Sequence, residues 1–215
     1  MIVSMIHQKG GTGKSSLAVA LAMYLSKLGE SVLLLDTDSQ GTSSVWGRKF
    51  SKNFGVQVDP LNLRMVQSEV EKLKLGYDVV IIDSPPSVTA STEPVIMVSD
   101  ILVSPMRPTK PDAWALDRLV ALVLVSKRKP APPHVVVLNQ VRDNEAGEVG
   151  EALRGRPVYL CQTSIPLSDE WSRILEGNEL SDQAISILSD LWNEIQQITE
   201  KGRVNSLSGF SSDNH

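Results

Sequence analysis

Seven consecutive residues, Lys9-Gly10-Gly11-Thr12-Gly13-Lys14-Ser15, set three glycines among two lysines and two hydroxyls. Glycine lets successive backbone N–H groups turn onto one concave surface, which makes an anion cradle. In such a cradle Lys14 reaches the β- and γ-phosphates of a nucleotide, and the Ser15 hydroxyl ligands Mg²⁺. The common eight-residue form of this loop has glycine at the place of Gln8; here an extra lysine, Lys9, stands directly before the glycine pair. Ordinary residue frequencies would produce the string in roughly one chain in 10⁴ or fewer.

Phosphate chemistry also needs carboxylates, to hold the metal shell and to orient an attacking water. Two acidic turns follow apolar runs: Asp36-Thr37-Asp38-Ser39-Gln40-Gly41 and Asp83-Ser84-Pro85-Pro86. Asp83 suits the metal shell or the orientation of Ser15, Asp38 the positioning of water, and Asp36 the bracing of the Mg²⁺ shell. Any single Asp at such a place is as readily a turn former or a helix cap. Three at two strand ends, in one chain with the phosphate loop, favour the metal and water roles.

These groups meet only if the runs before them are neighbouring strands with their carboxyl ends on one edge. Short β-branched runs at 2–6, 32–35, 79–82, 101–103 and 135–138, with a weaker one at 158–160, read as strands. Helical spacing lies between them at 14–28, on the stripe Leu17, Leu21, Tyr24, Leu25 and Leu28, and again at 113–126 and 183–199. Gly29 stands where a helix end takes a left-handed residue. The alternation predicts an α/β fold, one domain with a mostly parallel, twisted sheet covered by helices on both faces. That domain is expected over 1–201, with the Ser-, Asn- and Gly-rich stretch 202–215 as a disordered tail.

Twenty-one Lys and Arg against twenty-five Asp and Glu leave a net charge of −4, with 41% hydrophobic and 21% charged residues. This is ordinary globular usage and excludes wholesale disorder. The single Cys161 excludes an internal disulfide and a four-cysteine zinc site, and fits a reducing cytosol. No apolar run approaches the roughly 20 residues of a membrane span, and 203–215 lacks the basic amphipathic pattern of a membrane-surface helix. Positive charge is densest at 107–129, where Arg107, Lys110, Arg118, Lys127, Arg128 and Lys129 face only Asp112 and Asp117; Arg142, Arg154 and Arg156 follow. Lys127, Arg128, Lys129, Arg154 and Arg156 are the candidate contacts to DNA phosphates, against the alternative of a solubilising face. Asn139-Gln140 closes a strand and could meet an adenine edge or simply turn the chain. Trp114, Trp171 and Trp192 read as core or interface anchors, and His7 and His134 carry no assigned chemistry.

Taken together, KGGTGKS with Lys9, DTDSQG and DVVIIDSPPS resemble the deviant-Walker ATPases of the ParA/MinD group. The segment 99–118 is similar to that of the small ParA-type plasmid partition proteins. The resemblance implies a P-loop NTPase fold using ATP and Mg²⁺. It puts nucleotide contacts at Lys9, Gly10, Gly11, Thr12, Gly13, Lys14, Ser15, Ser16 and Asn139, and metal contacts at Ser15, Asp36 and Asp83. Catalytic roles fall to Lys9, Lys14 and Asp38. It further implies an ATP-dependent homodimer, with Lys9 of each subunit crossing to the other's phosphates. Weak turnover stimulated by DNA and a partner, nonspecific DNA binding, and a centromere-binding or cargo-adaptor protein belong to the same expectation. So does a cytoplasmic, nucleoid-associated place in a bacterium or archaeon, without membrane attachment. The alternatives are a MinD-like cell-division regulator and a P-loop small-molecule enzyme. Two departures stand out: Ser39 replaces the proline usual in the family's switch, and 163–201 holds only Arg173 and Lys201 against eight acids.

Overall fold

Val32 through Leu35 and Val79 through Ile82 are buried without a break, so their strands need apolar cover on both faces. The computed structural model describes residues 1–87, 89–142 and 147–208. Its elements run β1 (Ile2–Met5), α1 (Lys14–Lys27), β2 (Val32–Asp36), α2 (Thr42–Phe54), β3 (Gln57–Pro60), α3 (Val66–Leu73), β4 (Val79–Asp83) and α4 (Glu93–Val98). They continue with β5 (Ile101–Met106), α5 (Lys110–Val125), β6 (His134–Val141), α6 (Gly147–Leu153), β7 (Tyr159–Leu160), β8 (Ile165–Pro166), α7 (Glu170–Ile174) and α8 (Asp182–Ser208). The strands form one sheet in the order β3-β2-β4-β1-β5-β6-β7, with β8 also on β6, and every pairing among the described residues is parallel.

Strand residues alternate between two cores, as period two requires. Val3, Met5, Leu34, Ile81, Val103 and Val137 face α1, α7 and α8. Ile2, Leu33, Leu35, Val80 and Ile82 face the other way, onto α3 and α4, while Leu102, Val136 and Leu138 meet α5 and α6. The helix α1 departs from its expected stripe. Ala18, Val19, Ala20, Ala22 and Met23 are buried along with Leu17 and Leu21, and Leu28 is exposed. Helices on both sides enclose it, and small alanines make that fit possible. The chain then turns out of α1 as expected: Gly29 is left-handed, its N–H bonds the Ser26 carbonyl, and Glu30 N–H bonds that of Leu25. Trp171 and Trp192 are core residues, whereas Trp114 is exposed.

The spacing gives neither α2, α3, α4, α6 and α7 nor β3 and β8, and it ends α8 early. The edge strand β3 has too few apolar residues to show a period, and α2 carries its period on Trp46, Phe50 and Phe54 alone. The helix α8 runs on through Gly202 to Ser208, past the expected boundary of a tail, and 209–215 lie outside the described residues. Glycine is needed at 202 because a Cβ there would come within 2.5 Å of Pro133 Cγ. A residue that looks like a stop is a close approach.

Trp46 is the fully buried apolar anchor of α2. It stacks on Phe54 with centroids 5.8 Å apart, and donates from Nε1 to the Ile174 carbonyl at 3.0 Å. Trp46→Phe removes one of the two donors on that carbonyl, the Gly177 N–H being the other, and leaves a void beside it. The variant should lose about 2–3 kcal/mol of stability with an unchanged denaturant slope. Urea unfolding checks it; a loss under about 0.5 kcal/mol, the range of neutral surface changes, would mean that α2 is held elsewhere.

Candidate nucleotide site

The strand β1 lies in the middle of the sheet, and its chain leaves the carboxyl edge as residues 7–13 before entering α1. That edge, at a reversal of strand order, is where open α/β sheets bind ligands. Gly11 and Gly13 have φ of 73° and 91°, and Gly13 is the N-cap of α1. A Cβ at Gly13 would sit 2.0 Å from Asn139 Nδ2, so both conformation and space require glycine. No side chain caps α1, and its first turn holds no acid. The helix therefore presents unpaired N–H groups and its positive end to the loop.

Lys14 is buried and its Nζ donates to the Lys9 carbonyl at 3.1 Å. Burial lowers its pKa, while the nearby carboxylates of Asp83 and Asp38 pull it back up. The Thr12 hydroxyl is buried without a partner. His7 accepts the Lys9 N–H on Nδ1 at 3.1 Å, and burial with the charge of Lys14 brings its pKa down to about 4. His7 is thus a neutral brace for the loop, a part that nothing in its sequence context signalled.

Strand register assembles the acids. Met5 of β1 pairs with Asp83 of β4, and Asp83 pairs with Asp36 of β2, one row across the carboxyl edge. Asp83 has no solvent exposure; Oδ2 accepts from Ser43 Oγ at 2.7 Å and Oδ1 has no partner. Burial raises its pKa to about 6, against the pull of the Ser43 and Ser15 hydroxyls, with Asp36 adding to the rise and Lys14 opposing it. Asp36 plays a different part from a bare metal brace. Its oxygens accept the Asp38 N–H at 3.1 Å and the Ser44 N–H at 2.7 Å, which fixes the switch turn and the start of α2. Asp38 is half-buried; Oδ1 accepts the Gln40 N–H at 3.0 Å, and a cleft of about 610 Å³ opens beside it. Ser39 is the second residue of the turn closed by Gly41 N–H on the Asp38 carbonyl. Proline favours that position but is not required there, so the substitution leaves the turn intact.

Lys9 leaves its own loop. Its Nζ meets Asp112 Oδ1 at 2.5 Å, and Arg107 holds the same carboxylate with Nε on Oδ2 at 2.8 Å and Nη2 on Oδ1 at 3.2 Å. Asp112 is buried in the first turn of α5, where Thr109 caps the helix through its N–H. Burial pushes its carboxyl up, but the Arg107 fork and Lys9 outweigh this and hold it below the usual range. Asp112 and Ser43 are site residues that composition alone hid, Asp112 because it stood as a lone acid in a basic stretch.

Asn139, expected at the adenine edge, is buried against the loop. Its Nδ2 donates to the Thr12 carbonyl at 2.8 Å, and its Oδ1 accepts the Gln140 N–H. The candidate DNA contacts sit at the other end of the sheet, since α5 and α6 both run back from the carboxyl edge. There Arg156 pairs with Asp117 at 2.5 Å, Arg128 donates to the Met97 carbonyl at 2.5 Å, and Lys129 to that of Leu124 at 3.0 Å. Lys127 and Arg154 have no side-chain partner among the described residues. Arg107, also counted in the basic stretch, belongs to the Asp112 pair.

The residues fit a magnesium nucleotide on their own geometry. The glycine loop and helix end offer N–H groups to phosphate, and Asp83 Oδ1 is a buried oxygen with nothing bound to it. Ser15 and Asp83 are the groups that would hold Mg²⁺, which when bound neutralises phosphate charge. Because the folded pKa of Asp83 is raised, the folded chain keeps a proton that the unfolded chain has lost. Its contribution to stability is therefore present below about pH 4, the ordinary Asp range, and disappears as pH rises through about 6. Asp83→Asn should then melt higher than the parent above pH 6, in buffer without metal, and match it near pH 4. Melting curves across this range test it; equal curves at pH 8 would show that the carboxylate is not strained by burial.

Residues 3–180 match the family model described as the CobQ/CobB/MinD/ParA nucleotide binding domain. The maintenance of carboxysome distribution protein A of Gloeobacter kilaueensis is 32% identical over 190 residues, 87% of this chain and 83% of the relative. Among solved structures, the MinC:MinD cell division complex of Aquifex aeolicus aligns with a TM-score of 0.75 at 17% identity, over 91% of this chain and 96% of the other. The pNOB8 ParA bound to nonspecific DNA aligns at 0.63 and 18%, over 97% and 98%. With the loop, the acidic row and this coverage in hand, the chain belongs to the CobQ/CobB/MinD/ParA nucleotide-binding family.

Proposed function

We propose that this protein is an ATP-hydrolysing positioning protein whose ATP-bound subunits pair face to face and distribute a cargo along DNA. The observation that carries this reading is the separate fate of the two loop lysines. Lys14 folds over its own loop, while Lys9 points away from it, with a third of its side chain exposed, onto a carboxylate that Arg107 also neutralises. A lysine held at the rim can be offered to the phosphates of a second subunit; a lysine folded into the cradle cannot. Lys14 and Lys9 would then stabilise charge on the transferring phosphate, and Asp38 would orient the water for in-line attack.

The relatives' names describe distribution of a carboxysome and binding to nonspecific DNA, and this reading assigns the same kind of work to the chain. Its partners would be duplex DNA and a centromere-binding or cargo-adaptor protein. For DNA, Lys127 and Arg154 are the favoured contacts, because the charges of Arg128, Arg156 and Lys129 already serve the fold. Among the described residues no helix is long and apolar enough to cross a membrane.

Substitutions separate binding, pairing and chemistry. Lys14→Ala should weaken ATP binding at least about tenfold by calorimetry. Lys9→Ala should bind ATP as the parent does yet remain monomeric by light scattering; its fold is protected because Arg107 still neutralises Asp112. Dimers of Lys9→Ala in ATP would contradict the cross-subunit role.

Asp38→Ala tests the chemistry directly. It should pair in ATP like the parent and release phosphate at a small fraction of the parental rate, whether or not duplex DNA is added. Parental turnover in this variant would move the water-positioning role to another residue.

A further inference from the structure

Consecutive residues of a strand point to opposite faces, yet Asn139 and Gln140 at the carboxyl end of β6 both grip the phosphate loop. Asn139 Nδ2 holds the Thr12 carbonyl at 2.8 Å and Gln140 Nε2 holds the Gly11 carbonyl at 3.1 Å. An irregularity in the strand makes this possible. The β6–β8 register shifts between Asn139 and Val141, and Gln140 has a φ of 60°, the one non-glycine residue with positive φ among the described residues. A left-handed bulge position is ordinarily taken by glycine. Glutamine there keeps the backbone in an unfavourable region, and what it adds over glycine is its amide.

The amide acts on peptide orientation. Across a planar trans peptide the carbonyl and the following N–H point opposite ways. With the Gly11 and Thr12 carbonyls pinned toward β6, the N–H groups of Thr12 and Gly13 are turned toward the cradle. The Lys9 carbonyl is tied as well, by Lys14 Nζ. We propose that Gln140 is a positioning residue for the phosphates: it aims the loop N–H groups at the anion and makes no contact with the base. The proposal rests on the nucleotide reading above and adds to it a residue on a neighbouring strand.

The test is calorimetry of the full chain with ATP·Mg²⁺ and with inorganic tripolyphosphate, NMR titration with adenosine, and a melting curve for each protein. Gln140→Ala keeps the strained backbone and loses the donor. Its affinities for ATP and tripolyphosphate should fall together by about five- to tenfold, the size of one hydrogen bond, while adenosine binding stays put. Gln140→Gly loses the donor and relieves the strain, so it should lose the same affinity while melting a few degrees higher. A residue that merely supports the fold would move affinity and melting in the same direction in Gln140→Gly, and that outcome overturns the proposal. Parental tripolyphosphate affinity in either variant overturns it too, as does a loss confined to ATP, which would mean a base contact. If the parent itself binds neither ATP nor tripolyphosphate, the nucleotide reading has failed, and that is visible without any variant.

Discussion

A carboxylate buried at the centre of the sheet edge with one oxygen unbound is costly to fold, and the site is arranged around that cost. Asp83 cannot move outward, because it is the last residue of β4 and is in register with both Met5 and Asp36. It cannot be hydrated, since it has no exposed surface. Ser43 satisfies one oxygen, and the other is left facing the loop. An orphaned acceptor of this kind costs about 1–3 kcal/mol in the free protein. A cation beside it would remove that penalty, so the strain already present in the fold would favour a metal there.

The same edge links the site to α2. Asp36 and Asp83 are the acids assigned to the metal shell, and both also hold the first turn of α2, through the Ser44 N–H and the Ser43 hydroxyl. Whatever draws on these carboxylates competes with the helix start. One turn further on, Trp46 anchors α2 in the core on the Ile174 carbonyl. A change at the acids is therefore felt at a helix start held by the carboxylates on one side and by the core, one turn on, at Trp46. The Asp38 turn lies just before this helix start.

The phosphate loop and the three aspartates were legible because each is a contiguous string whose residue types have few other uses. The parallel sheet followed from its unbroken apolar runs, which both-sided burial demands. What the spacing missed has definite physical causes. The helix α2 has only a short apolar face and is defined by side-chain bonds to residues 36 and 83, forty positions apart in sequence from Ser43 to Asp83. The helix α8 passes through Gly202 because Pro133 lies against it, a contact that no local pattern encodes. Asp112 stands in the sequence as one acid diluting a basic stretch; only the fold shows that it takes one of those cations, Arg107, together with Lys9 of the phosphate loop, out of the surface charge. A strand-end Asn139 is equally open to an adenine edge or a plain turn by sequence, and only the fold shows it set close against Gly13 and bonded to the loop.

The pairing at Asp112 also explains how a lysine can be both ordered and available. Removing one partner from a buried ion pair commonly costs about 3–5 kcal/mol, because the other charge is left uncompensated in low dielectric. Lys9 on a lone buried carboxylate would be trapped by that penalty. Arg107 changes the arithmetic, since its fork already contacts both oxygens of Asp112 and remains there when Lys9 departs. The carboxylate then keeps a bidentate partner, and what Lys9 gives up is one contact at the rim, where solvent reaches a third of its side chain. Lysine also suits this place better than a second arginine would. A compact ammonium on a flexible stem makes no planar fork to be dismantled, so it can move between a carboxylate and a phosphate oxygen without losing a two-point contact. In the proposed exchange the arginine would stay and the lysine leave, and both follow from the geometry around one buried carboxylate.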